Sequence, residues 1–486
     1  MVKFMLKIPL QRIETFTTTD SILILILSSF SLAIHLWMIQ NPDYVCFDEV
    51  HFGNFTNFYT KSEYFFDIHP PFGKLVMFLI ANFSQYKGEI DFEKLYGNQY
   101  LTPDYVILRV TPTIFSSFCS PLIYTAMRYS SFSYSSSFLS GFLVACDTSL
   151  LTEHRFILSD GMLHFFSCLF LAYFSYFTSL SPLHEHFFAH LILCGVILGL
   201  PCACKNTAWG LMLYTGFVEI IQILQIFPKI NYDFFDEIVT RGSILLGSVV
   251  IVHLLSFVIH NLLLLYHGTG TSYLPQMMQK QLIDNHHLSG ELWGWRASFP
   301  STYLRVVALA VDMHAGNMGI KAFHPYQSRP QNWPLLTGNF VAFWSRFGTE
   351  VDCIGNVFVY YPAFFALLFV LFAFKKEKFH IAIRFVIGWS VSFFPFYLIP
   401  RSLYLYHYLI PLIFGCMSTG AAIDLWLKPF WRGTFCAAFC ILALFGFYLW
   451  SPLSYGTPHL EDNVVFWTKN WRYGDDYHRR LSRMQK

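Results

Sequence analysis

What most limits the fold of this chain is its succession of long apolar runs. Windows of about 18 residues or more, each long enough to cross a bilayer as a helix, fall at 20–39, 105–126, 132–150, 156–178, 186–203, 206–227, 241–265, 353–374, 379–399, 403–423 and 433–450. A helix satisfies its own backbone in lipid, so the pattern predicts an all-α polytopic membrane protein of about eleven spans. With 55% hydrophobic and only 13% charged residues, the chain is unlike a soluble domain, where about a quarter are charged. A net charge of +2 without any basic tract argues against nucleic acid as a partner. The first run lacks a small-residue cleavage site and reads as a retained span. The apolar stretch 72–83 follows Pro70-Pro71, is short, and reads as an interfacial helix.

Positive charge orients the spans. With Lys3, Lys7 and Arg12 in the cytosol, Arg128, Lys229, Arg241, the 375–378 cluster, Lys428 and Arg432 all fall on the cytosolic side. The chain then divides into a seven-span region, 1–265, with a luminal loop at 40–104; a luminal loop at 266–352; and a four-span region, 353–486, ending in a luminal tail. Four cations break the rule on the luminal side: Arg109, Arg155, Lys205 and Arg401. Snorkelling explains one such exception; four on one side point to a common anion, with phosphate as the natural candidate.

The same side carries Asp48-Glu49 at the exit of the first span, and adjacent carboxylates at that depth are expensive. An acidic base, a cation clamp (Arg109, Lys205, Arg401) and His407 would suit group transfer from a lipid phosphate. Asp160 is expected to pair with a cation such as Arg155. The residues alone also admit a transporter, although no pair of broken spans recurs in the two halves. Most of the eleven cysteines lie in apolar runs as small hydrophobes; Cys46 and Cys353 share one side and could form a disulfide. No ligand spacing suggests a metal site. Asn54 and Asn82 head N-glycosylation sequons. The 266–352 loop is rich in His, Trp and Pro, without strand alternation.

Several motifs, in order, resemble the protein O-mannosyltransferases: Phe47-Asp48-Glu49-Val50-His51-Phe52-Gly53, Phe66-Asp67-Ile68-His69-Pro70-Pro71 and Arg155-Phe156-Ile157-Leu158-Ser159-Asp160-Gly161. Cys204-Lys205, His324-Pro325-Tyr326-Gln327-Ser328-Arg329-Pro330 with Trp333, and Tyr406-His407-Tyr408-Leu409-Ile410-Pro411 continue the series. The resemblance implies a type C glycosyltransferase of the endoplasmic reticulum membrane. Such an enzyme moves mannose from dolichyl phosphate mannose to Ser or Thr hydroxyls of secretory proteins, with inversion, and works as a homo- or heterodimer with a family member. It implies Asp48 as the catalytic base, with Glu49 positioning acceptor or loop. Arg109, Arg155, Asp160, Lys205, Arg401 and His407 would serve the donor. His69, Pro70, Pro71, His324, Tyr326, Arg329 and Trp333 would serve the acceptor side and its loops. No bound cofactor is implied. The family's luminal MIR domain is missing, because the chain runs from His267-Gly268-Thr269-Gly270 to Phe299-Pro300-Ser301 within a few tens of residues. Pro400-Arg401 stands where Gly-Arg would be usual. The alternatives within this reading are another polyprenyl-phosphate sugar transferase, acting on a lipid or glycan, and an inactive partner subunit.

Overall fold

A computed structural model of the chain describes residues 15–227, 229–274, 276–280, 282–283, 299–319, 324, 326–346, 349–457, 467–468 and 471. Each of the eleven apolar windows carries a helix. Seven of these helices are long and apolar enough to cross a membrane: Thr18–Leu36, Tyr105–Tyr129, Asn206–Ile226, Tyr232–Leu263, Phe379–Leu398, Leu405–Trp426 and Pro429–Tyr455. The remaining four windows hold Tyr134–Cys146, Asp160–Phe177, Phe187–Cys202 and Val357–Phe372. The helix over 72–83 has 12 residues, about 18 Å of rise against a hydrocarbon core of about 30 Å.

The elements that build the site are named in chain order. They are α1 (Thr18–Leu36), α2 (Glu49–Lys61), α3 (Phe72–Phe83), α4 (Tyr105–Ser117), α5 (Cys119–Tyr129), α6 (Tyr134–Cys146), α7 (Thr148–Arg155) and α8 (Asp160–Phe177). After them come the strands β1 (Val341–Arg346) and β2 (Thr349–Cys353), then α9 (Leu409–Trp426). The window 105–126 is divided between α4 and α5 because Pro121 supplies no N–H to the turn before it and its ring opposes that carbonyl. The window 132–150 is divided at Asp147, whose carboxylate accepts from the Leu150 amide at 2.9 Å and the Asn356 amide at 3.1 Å and so starts α7 as its N-cap. Hydroxyls inside the apolar helices bond back to carbonyls one turn earlier, as Thr113 does to Arg109, Ser167 to Leu163 and Ser418 to Phe414. Their polarity is thereby satisfied without water.

Contacts at the two ends fix how the helices alternate. At one end Arg128 pairs with Asp20 at 2.8 Å and Arg432 with Asp424 at 2.6 Å. At the other, Arg155 donates to the His35 and Trp37 carbonyls, both at 2.6 Å. In the middle lies α9, whose apolar window is 94% buried. Gly420 permits that position: a Cβ there would collide with the Ser136 carbonyl and the Ser140 hydroxyl of α6. A chain of imidazoles ties α1, α7 and α8, with His35 Nε2 and His154 Nδ1 at 3.2 Å and His154 Nε2 and His164 Nδ1 at 3.0 Å.

The 266–352 segment departs from its sequence reading, because β1 and β2 form an antiparallel hairpin there. Alternation is hidden for a physical reason: four of the five residues of β2 are buried, so neither face has to be polar. The ladder breaks between Ala342 and Trp344, and Phe343 stands in the irregularity. Cys46 and Cys353 are both free thiols. Cys46 Sγ donates to the Tyr44 carbonyl at 3.3 Å and Cys353 Sγ to the Ser149 carbonyl at 3.8 Å, so the disulfide is not formed.

Candidate active site

The two adjacent acids have opposite surroundings. Glu49 is fully buried, and its carboxylate accepts from Arg109 Nε at 2.7 Å and Nη2 at 2.9 Å. It also accepts from the Cys46 amide at 2.9 Å, the Tyr100 hydroxyl at 3.1 Å and the Ile157 amide at 3.1 Å. Five donors saturate it. Arg109 uses its remaining N–H groups on the Pro42 and Tyr44 carbonyls, at 2.8 and 3.0 Å. Together the pair clamps the 42–49 loop to α4 and to the segment that follows α7.

Asp48, the N-cap residue of α2, makes no side-chain cap. Among the described residues, nothing hydrogen-bonds or ion-pairs with its carboxylate. Burial pushes this carboxyl above the usual carboxylate range, against the pull of His51 and Lys205; Asp160 and Asp67 add to the rise. The residue before it, Phe47, has φ +47°, a left-handed conformation that a bulky residue seldom adopts. The hairpin holds it there. The Phe47 amide donates to the Phe343 carbonyl at 3.0 Å, and the two rings stack with centroids 4.4 Å apart. An irregular strand in the second loop therefore sets the direction of the acid in the first.

Lys205, 6% exposed, places its ammonium 2.9 and 3.0 Å from the two oxygens of Asp160 and 5.0 Å over the Tyr406 ring. Asp160 thus pairs with Lys205 and not with Arg155, because Lys205 is brought to the start of α8 while Arg155 turns the other way. Gly161 allows that start to lie against α4: a Cβ there would sit 2.7 Å from the Pro112 carbonyl oxygen. Arg401 is half-buried, has no carboxylate partner among the described residues, and donates from Nη2 to His407 Nε2 at 3.3 Å. His407 Nδ1 lies 3.1 Å from both the amide nitrogen and the carbonyl oxygen of Tyr404; because a guanidinium can only donate, Nε2 is the acceptor of the Arg401 bond and Nδ1 carries the proton. Trp333, 1% exposed and hydrogen-bonded through Nε1 to Ser328, lies parallel to the His407 ring with centroids 6.2 Å apart. His324 meets Tyr404 edge-on at 5.2 Å and lies 5.6 Å from the Tyr326 ring, while Arg329 is exposed.

His69 has a buried Nδ1 without a hydrogen-bond partner among the described residues. Its imidazole is held neutral, first by burial and then by Lys205, Lys74, Arg401 and His407. The loop that carries it is pinned from behind, since Lys74 Nζ donates to Asp67, to the His69 carbonyl at 2.8 Å and to the buried Pro70 carbonyl at 3.2 Å. Pro71, also buried, is the N-cap of α3. Asp48, His69, Lys205, Arg401 and His407 share one electrostatic neighbourhood.

The four rule-breaking cations do not all gather there. Arg109 is fully engaged by Glu49 and loop carbonyls. Arg155 sends Nη1 to the His35 and Trp37 carbonyls and Nη2 to the Met38 carbonyl at 2.8 Å, which satisfies the open carbonyls at the end of α1. Sequence reasoning missed two elements. One is the Lys74–Asp67 ion pair; the seven-residue spacing across two prolines concealed it. The other is Glu153, 1% exposed, whose Oε1 has no partner; the signal was a carboxylate two residues before Arg155 in an otherwise apolar and hydroxyl-rich stretch. Of the sequons, Asn82 and Ser84 are exposed at the end of α3, whereas Asn54 lies inside α2 with its Thr56 hydroxyl buried and bonded to the Phe52 carbonyl. Among the described residues, no three His, Cys, Asp or Glu side chains are grouped to hold a metal.

Comparison with known proteins places these features in a wider setting. A family described as dolichyl-phosphate-mannose-protein mannosyltransferase matches residues 25–268, and one described as the C-terminal four-span region of protein O-mannosyltransferase matches 303–471. Dolichyl-phosphate-mannose–protein mannosyltransferase 2 of Candida albicans is 29% identical over 283 residues, covering 55% of this chain and 36% of that protein. The similarly named protein 4 of Schizosaccharomyces pombe is 28% identical over 318 residues, covering 64% of this chain and 39% of that protein. The chain therefore matches little more than a third of the length of these relatives. Among solved structures, the S. cerevisiae protein O-mannosyltransferase Pmt1-Pmt2 complex bound to the sugar donor superposes with a TM-score of 0.85 at 19% identity, covering 96% of this chain and 94% of that one. An oligosaccharyltransferase of Archaeoglobus fulgidus superposes more loosely, with a TM-score of 0.52 at 11% identity, covering 96% and 60%. These likenesses establish the fold.

Proposed function

The chain belongs to the dolichyl-phosphate-mannose–protein mannosyltransferase family, and from that premise we propose that it transfers mannose from dolichyl phosphate mannose to Ser or Thr hydroxyls of secretory proteins. The observation that carries this reading is the contrast between the two acids: Glu49 is saturated by five donors, while Asp48 has no hydrogen-bond partner among the described residues and feels the charge of Lys205. A general base must keep lone pairs for the proton it takes, and its basicity is raised by burial. Asp48 meets both conditions.

In this mechanism Asp48 accepts the proton of the acceptor hydroxyl as its oxygen attacks the anomeric carbon from the face opposite the phosphate, inverting that centre. The carbon–oxygen bond to phosphate breaks and the electron pair leaves with dolichyl phosphate. Lys205 and Arg401 stabilise the charge that grows there, His407 orients Arg401, and Trp333 braces His407. Arg109 and Arg155 act on the donor only through the scaffold they hold. Glu49 is a positioning residue. His69 and the Pro70-Pro71 turn, with His324, Tyr326 and Arg329, border the acceptor side.

The enzyme would work in the endoplasmic reticulum membrane with its site luminal, α3 interfacial and a family member as dimer partner. The boundaries proposed for its regions remain 1–265, 266–352 and 353–486. The test is transfer of labelled mannose from dolichyl phosphate mannose to a Ser/Thr-rich peptide by membranes containing the chain. Labelling of the peptide supports the reading, and labelling of a lipid or glycan alone overturns it.

A further inference from the structure

Glu153 lies in α7, which packs against α8, β2 and the turn Leu405–Tyr408. Its Oε1 is buried with no hydrogen-bond partner, and an unsatisfied carboxyl oxygen in such a place is unfavourable unless a ligand completes it. The charges acting on it are Asp160, Lys205 and Asp48, and its other contact is the Cys353 thiol. Tyr406 feels both Asp48 and Glu153 and carries Lys205 on its ring face. Asp160 already occupies Lys205 at 2.9 and 3.0 Å. Among the described residues, no cation forms an ion pair with Glu153. Burial and the two neighbouring acids hold its proton on.

We propose, on the basis of the transfer reaction above, that Glu153 is a donor-site residue whose un-ionised carboxyl donates a hydrogen bond to a phosphate oxygen of the isoprenoid-linked sugar phosphate. A phosphate oxygen of the donor would supply the partner that Glu153 Oε1 lacks among the described residues. In its neutral form Glu153 adds a donor without repelling the anion, as an ionised carboxylate would. It gives up no proton in the reaction; Asp48 alone takes the proton of the acceptor.

The full-length protein in membranes tests this through separate KM values for dolichyl phosphate mannose and for a Ser/Thr peptide. Glu153→Gln keeps a neutral N–H donor and is expected to hold the donor KM within roughly threefold, while Glu153→Leu raises it roughly tenfold or more with the peptide KM unchanged. An unchanged donor KM in Glu153→Leu, or an equal rise in Glu153→Gln, overturns the proposal. Infrared difference spectra on donor addition give a readout that does not depend on the leucine variant folding. A protonated-carboxyl band that shifts in the wild type and is missing in Glu153→Gln is expected, and no such band contradicts it. Absence of any mannose transfer by the wild type would overturn the function itself, whereas active wild type with indifferent Glu153 variants overturns only this role.

Discussion

Glu49 and Arg109 hold each other through two fully buried hydrogen bonds of 2.7 and 2.9 Å, and this pairing gives two adjacent acids different duties. Because Glu49 is engaged, the loop before it is fixed. Because no described residue bonds the Asp48 carboxylate, it stays free for the proton transfer proposed above. Replacing Glu49 by Ala strands the Arg109 charge in a buried place, at about 3–5 kcal/mol. Thermal unfolding should show a large loss of stability, and activity should fall with it. A variant that unfolds like the wild type but cannot transfer mannose would place Glu49 in the chemistry instead.

Arg401 offers a clean probe of the proposed phosphate clamp, since among the described residues no carboxylate loses a partner when it is removed. Arg401→Ala should raise the donor KM about 10- to 100-fold, the worth of a charge-assisted hydrogen bond, with the unfolding temperature and the peptide KM unchanged. Lys205→Ala strands Asp160 as well, so it should damage both stability and donor use. Steady-state kinetics over both substrates checks the pair.

Arg155 should behave as a helix cap. Arg155→Ala is expected to lower the unfolding temperature without selectively raising the donor KM, because its hydrogen bonds go to the His35, Trp37 and Met38 carbonyls.

The pH dependence follows from Asp48. A base whose carboxyl is pushed up by burial is lost to protonation as pH falls, so kcat/KM should decline on the acid side at a pH above the ordinary carboxylate range. The linkage to stability has the opposite sense. A carboxyl raised in the folded state contributes stability when protonated, at low pH, and that contribution is lost as pH rises through its folded value. Ionised Asp48 at neutral pH is therefore a stability cost, and Asp48→Asn should unfold no earlier than the wild type.

Glycan mapping reads the two sequons and the orientation together. Asn82→Gln should abolish an endoglycosidase-sensitive mobility shift and Asn54→Gln should leave it intact, since only the Asn82 sequon is exposed. A tag at the C-terminus is expected on the luminal side.

The membrane helices were legible because lipid forces every span to announce itself in about 18 apolar residues or more. The β1–β2 hairpin was not, because β2 is buried on both faces and needs no alternation, and β1 is broken by an irregularity at Phe343. Charge on the wrong side pointed to one common anion for Arg109, Arg155, Lys205 and Arg401, whereas Arg109 pairs with Glu49, Lys205 with Asp160, and Arg155 with the carbonyls at the end of α1. Sequence cannot distinguish a substrate phosphate from Glu49, or from the carbonyls at the end of α1, as that partner. The same limit assigned Asp160 to nearby Arg155, when Lys205, 45 residues away, lies across the fold from it in sequence but beside it in space. Glu153 escaped notice because its meaning depends on how many cations its neighbours have already claimed.

The central claim, that Asp48 is the base, is tested most directly by the mannosyl transfer rate of Asp48→Asn in protein shown to be folded and to bind dolichyl phosphate mannose. The account predicts intact stability, intact donor binding and a rate lower by roughly 10²- to 10⁴-fold. A folded, donor-binding Asp48→Asn protein that labels the peptide at the wild-type rate would contradict it.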